Sequence, residues 1–203
     1  MMFLQDTRSI GLVFWIVVAL LLFNAAAMLA GLLPLDLVDI PDYVTDDTMY
    51  CLLVGGGSLI SAVIYAKNAH NVMSKKMARV EVVRRYVLTV GLCTLLGGVM
   101  GGLAEYLFTN DPDSGLLITV ATIILGIMVL LISMIIANDR KGPMKKAVWA
   151  ILVIAFVLMA IGALLPADNY WEYAENISHL LIAFFMLAFI TDSDVRKEMG
   201  AFP

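Results

Sequence analysis

Six long apolar runs separated by short polar stretches set the pattern of this chain, at about 11–33, 49–66, 86–108, 115–137, 147–166 and 175–191. A helix needs roughly 20 apolar residues to cross a bilayer core of about 30 Å, and these runs approach or exceed that length. Backbone amides in hydrocarbon have no water to bond, so an open-ended span has to satisfy them internally, as a helix does. The pattern predicts an all-α polytopic membrane protein, one transmembrane domain over residues 1–203, with six helices arranged as three tandem hairpins. The second and sixth runs are the shortest, which predicts little tilt or a thin local bilayer. The first run, Gly11 to Leu33, outlasts a signal-peptide core of about 7–15 residues and has no small-x-small site after it, so it reads as a retained span.

The charges orient the hairpins. Arg8 precedes the first span. Lys67, Lys75, Lys76, Arg79, Arg84 and Arg85 lie between the second and third, and Arg140, Lys141, Lys145 and Lys146 between the fourth and fifth. Arg196 and Lys197 follow the sixth, so all 13 basic residues fall on one side of a six-span scheme. The opposite loops hold Asp36, Asp39, Asp42, Asp46, Asp47, Glu105, Asp111, Asp113, Asp168, Glu172 and Glu175. The positive-inside rule makes the basic side, and both termini, cytoplasmic and the acidic loops external, which predicts a multi-pass protein of the cell membrane. Between Lys67 and Arg85 the apolar positions Val72, Met73, Met77, Val80 and Val83 recur at helical spacing. They predict either an extension of the adjoining spans or an interfacial helix drawn to anionic headgroups.

Composition agrees. The chain is 62% hydrophobic and 15% charged, with a mean hydropathy of +0.93. Soluble domains run near a quarter charged, so lipid has to be the solvent for much of this surface. Cys51 and Cys93 lie in or beside apolar runs and read as buried small hydrophobes rather than a disulfide framework. Trp15 and Trp149 on the basic side, with Tyr50, Tyr106, Trp171 and Tyr173 on the acidic side, fit aromatic belts.

The three hairpins share a pattern. The first span ends Leu32-Leu33-Pro34-Leu35-Asp36 and the fifth ends Leu164-Leu165-Pro166-Ala167-Asp168. The third ends in Glu105-Tyr106 and leaves through Asn110-Asp111-Pro112-Asp113. Each is followed by an acidic turn, a returning apolar helix and a basic stretch, which reads as an internal repeat. Through Gly31-Leu32-Leu33-Pro34, Gly162-Ala163-Leu164-Leu165-Pro166 and the glycines opening the second and fourth spans, the chain resembles the HdeD-like family of small acid-resistance membrane proteins. The resemblance is one of architecture, three two-helix repeats, and implies a role in envelope stress without a defined reaction. The outer loops here are longer and more acidic than that family's pattern.

Small residues and a few polar ones stand out within the spans. Gly97, Gly98, Gly101 and Gly102 give GxxxG spacing twice, and Gly55, Gly56 and Gly57 precede Ser58 and Ser61. Such faces let backbones approach closely, so they predict packing of the second and third spans against each other or a partner; the triple glycine alternatively reads as a flexible gate. Asn24, mid-span, needs a hydrogen-bond partner on another helix. Glu105 shares a helical face with Gly98 and Gly101 and reads as a carboxyl at the outer rim, either hydrogen-bonded or serving an ion or proton. Glu175 and His179, four apart, could titrate together or supply two metal ligands, with no third ligand evident. An Asn176-Ile177-Ser178 glycosylation acceptor lies too near the membrane to be occupied.

No GxxxxGK[ST], HExxH, GxSxG or CxxC occurs, and the basic residues lack interleaved aromatics, which argues against nucleic-acid binding. No cofactor is expected. The leading reading is a non-enzymatic membrane protein with a stress, scaffolding or assembly role, in contact with lipid and with a second copy or membrane partner through its glycine faces. One alternative is a small cation channel or transporter with an acidic mouth. Another is an intramembrane enzyme, or a subunit of one, using Glu105, Glu175 and His179.

Overall fold

The structure is a computed structural model that describes residues 6–30, 44–75, 77–110, 112–138, 142–166 and 170–201. The described residues are helical apart from turns and one isolated antiparallel bridge between Val44 and Thr109. The helices are α1 (Thr7–Ala30), α2 (Asp47–Ser74), α3 (Arg79–Phe108), α4 (Pro112–Ala137), α5 (Pro143–Gly162), α6 (Tyr170–Ile190) and α7 (Ser193–Glu198). Five of them contain stretches long and apolar enough to cross a membrane: Arg8–Ala30, Thr48–Ser74, Arg79–Phe108, Gly115–Ala137 and Pro143–Gly162. In α6, a helix of 21 residues, the described apolar stretch is Asn176–Ile190. The molecule is a multi-pass helical membrane protein, with five stretches of spanning length among the described residues and a further apolar helix, α6.

Local chemistry sets the helix ends. Asp46 opens α2, its Oδ1 accepting the Met49 N–H at 3.1 Å, which satisfies one of the unpaired first-turn donors. Pro112 and Pro143 begin α4 and α5, where a missing N–H and fixed φ cost nothing. Asp192 caps α7 by accepting from the Asp194 N–H at 3.1 Å. That helix closes with Gly200 at φ 65°, the Gly200 N–H bonding to Lys197 O and the Ala201 N–H to Arg196 O. This is a Schellman stop, and the positive φ requires the glycine.

The triple glycine lies inside the unbroken helix α2. The basic connector is shorter than the sequence pattern suggested, because α2 continues to Ser74 and α3 starts at Arg79. Val72, Val82 and Val83 are fully buried, so the apolar positions of this stretch face protein. The Leu-Leu-Pro-Leu-Asp turn after the first span, and Ala167 and Asp168 after the fifth, lie outside the described residues.

The chain divides into two compact units. The first comprises Met1–Val17, Ala66–Leu88 and Leu131–Pro203, the second Val18–Tyr65 and Thr89–Leu130. In the first unit Ile10, Phe14, Ile182, Phe185, Met186, Phe189 and Ile190 form a buried core. Tyr86 stacks on Phe14 with ring centroids 5.7 Å apart and meets Phe156 at 6.0 Å, arrangements that add to simple area burial. Helix α5 packs on α6, and the Trp149 indole N–H donates to the Ile190 carbonyl at 2.8 Å. Arg79 pairs with Asp192, and Ser133 donates to the Arg84 carbonyl at 3.3 Å.

In the second unit α3 and α4 form an antiparallel hairpin with a regular register. Gly91 meets Leu130, Leu95 meets Gly126, Gly98 meets Thr122, Gly102 meets Thr119, and Tyr106 meets Gly115. Every step of three or four along α3 is matched by the reverse step along α4, and each contact includes a glycine. A side chain at any of them would collide: a methyl at Gly91 would come 2.8 Å from Leu130 Cδ2, and one at Gly98 would overlap Thr122 Oγ1. Large apolar side chains instead cover the outside, with Leu117 73%, Phe23 63% and Val63 62% exposed. An exterior of this kind is stable only in contact with lipid or another apolar surface.

Candidate functional site

Glu105 lies in the last turns of α3, within the second unit. Tyr50, in the first turn of α2 that Asp46 caps, donates its phenol proton to Glu105 Oε1 at 3.0 Å. The Glu105 carbonyl accepts from the Thr109 hydroxyl. Gly115 lets α4 pass close by, since a methyl there would lie 2.9 Å from Glu105 Cβ. Beyond it, Thr45 N–H donates to Phe108 O at 2.6 Å beside the Val44–Thr109 bridge. The carboxyl is thus half-buried, held by α2 and flanked by α4.

The glycines of the preceding turns face different neighbours. Gly98 packs against Thr122 of α4, whereas among the described residues no atom comes within 4 Å of where a Cβ would stand at Gly97 or Gly101. Two GxxxG pairs offset by one residue point about 100° apart on a 3.6-residue helix, so they serve different neighbours. The pair 98/102 seats the threonines of α4, and the pair 97/101 opens onto a groove of about 360 Å³. Leu21, Ser58, Ser61, Tyr65, Cys93 and Thr94 also line it.

The small residues of α2 divide similarly. A methyl at Gly55 would meet Met28 and Leu29 of α1 at 3.1 Å, and one at Gly57 would meet Met100 at 3.3 Å. Asn24 Nδ2 donates to Ser58 Oγ at 3.0 Å, a bond from α1 to α2. Thr119 and Thr122 return their hydroxyls to Gly115 O and Ile118 O of their own helix, at 2.8 and 2.7 Å. Polar groups in the second unit are therefore largely spent on joining or lining helices.

Glu175 and His179 belong to α6 in the first unit. The His179 side chain is exposed, and that of Glu175 lies outside the described residues. Among the described residues no group of three His, Cys, Asp or Glu side chains is placed to hold a metal ion. Gly126, Thr119 and Thr122 were not singled out from the sequence. Their signal was there, small residues recurring at helical steps in the fourth span, but the register that pairs them with α3 cannot be read from one helix.

Comparison with known proteins adds a match to one family model. Residues 105–191 match the sequence model of a family described as a protein of unknown function (DUF998), covering the end of α3 and all of α4, α5 and α6. No curated protein and no solved structure matches the chain. Over less than half its length the chain is similar to an uncharacterised family, and this match lends no support to the HdeD-like resemblance.

Proposed function

We propose that this chain is a non-enzymatic protein of the cell membrane that acts as a scaffold or assembly subunit, associating with a second copy of itself. In this reading six spans form three hairpins, with both termini and the basic stretches in the cytoplasm. The open groove at Gly97 and Gly101 carries the proposal, because among the described residues nothing stands within 4 Å of either glycine's missing side chain. Without a hydrophobic drive between helices in lipid, association depends on close backbone approach, which small residues four apart permit. The HdeD-like resemblance gives this reading its envelope-stress aspect.

The test is the oligomeric state of the full chain in lipid nanodiscs. Gly101→Leu and Gly97→Leu should yield folded monomers where the wild type is a dimer or larger. A wild-type monomer, or variants that assemble unchanged, would overturn the proposal. Topology is tested separately: a cysteine at Ser74 should label only from the cytoplasmic side and one at Asp46 only from outside.

A second reading is favoured by Glu105, a half-buried carboxylate held by one phenol near the proposed outer rim. A cation or proton pathway through it would lose flux in Glu105→Gln proteoliposomes. Unchanged flux removes this alternative.

A further inference from the structure

A second cavity, of about 370 Å³, lies wholly within the first unit. Its charged lining residues are Glu81 and Arg84 at the start of α3, Lys145 at the start of α5, and Glu198 at the end of α7. Ile136 and Ala137 supply apolar wall. The size falls within the range of small-molecule sites, about 300–1,000 Å³.

The charges are not equally committed. Glu81 accepts two bonds from Arg84 and one from Arg85, each at 2.7 Å, so this carboxylate is saturated by guanidinium. Glu198 is exposed and solvated. Lys145 is only 5% exposed, and among the described residues no hydrogen bond or ion pair engages its ammonium. Lys145 lines a cavity rather than packed core, so its ammonium has room there for an anionic partner. Two further features favour an anion there. Counting Arg85, which bonds Glu81 from outside the lining, three positive groups stand against the two carboxylates Glu81 and Glu198, and Lys145 stands in the first turn of a 20-residue helix, where the backbone dipole attracts negative charge. Gly142, which precedes that helix, provides no side-chain cap to compete.

We propose that this cavity binds the phosphate of a phosphate ester, with Lys145 as its anchoring cation. A phospholipid headgroup and a soluble ester share this chemistry. The site's location at the cytoplasmic membrane surface rests on the topology proposed above, whereas binding itself does not.

Native mass spectrometry of the full chain in maltoside micelles tests the proposal. Phosphatidylglycerol should be retained about tenfold better than diacylglycerol, which has the same tails and no phosphate. Lys145→Gln should lower retention to the diacylglycerol level. Lys145→Arg should keep it, and so should Lys146→Gln at the exposed neighbouring position. Glycerol 3-phosphate separates the sources: displacement of bound lipid at millimolar concentration assigns the site to a soluble ester, and persistence of the lipid assigns it to the membrane. Equal retention of diacylglycerol and phosphatidylglycerol by the wild type overturns the proposal even if Lys145→Gln fails to fold. Wild-type phospholipid retention in a folded Lys145→Gln variant overturns it as well.

Discussion

The Tyr50 phenol and the Glu105 carboxylate are joined at 3.0 Å, tying the first turn of α2 to the last turns of α3. A hydrogen bond to an ionised acceptor contributes about 1.5–3 kcal/mol. Tyr50→Phe should therefore destabilise the protein by about that amount in mixed-micelle denaturation. Glu105→Gln, which still offers a carbonyl to the phenol, should cost less. If Tyr50→Phe is silent, the pair does not stabilise the fold.

The two GxxxG pairs should separate by readout. Gly98→Leu and Gly102→Leu force bulk onto Thr122 and Thr119, so both should abolish a cooperative melt. Gly97→Leu and Gly101→Leu should melt like the wild type while altering assembly. Loss of folding in all four variants would refute that division of labour.

Asn24 and Ser58 form a bond within the apolar part of two helices. Interhelical bonds of this kind average about 0.6 kcal/mol and reach about 1.7. A double-mutant cycle with Asn24→Leu and Ser58→Ala should return a coupling in that range. A coupling near zero would leave the 3.0 Å contact without energetic weight.

The Trp149 indole donates to the carbonyl of Ile190 at the end of α6. Trp149→Phe retains an aromatic ring but leaves that carbonyl without this donor, which should cost about 1 kcal/mol. Hydrogen exchange should speed up at the amides of 191–195 while those of α4 keep their rates. Unchanged exchange at the end of α6 would count against the pinning role.

The spans and their approximate ends could be read from hydropathy because a bilayer imposes a length and an unbroken backbone ladder on each crossing. The need of Asn24 for a partner followed from the same reasoning, since a mid-span amide has to bond something. The choice of Ser58 did not, because it depends on which α2 residue stands level with Asn24. The same gap explains the glycines. Spacing identified Gly97, Gly98, Gly101 and Gly102 as a group, whereas their division between α4 and an open groove follows from helix rotation. Lys145 was counted as one more topological charge, since only the packing around α5 reveals that it is buried.

One carboxylate, Asp192, both starts α7 and grips Arg79. The tail of the polypeptide is thereby clasped to the beginning of a helix more than a hundred positions earlier. Fusing a reporter directly after Ile190 would remove that clasp and loosen the stretch around Arg79 along with the tail. Reporters for this protein therefore belong downstream of α7, where both duties of Asp192 survive.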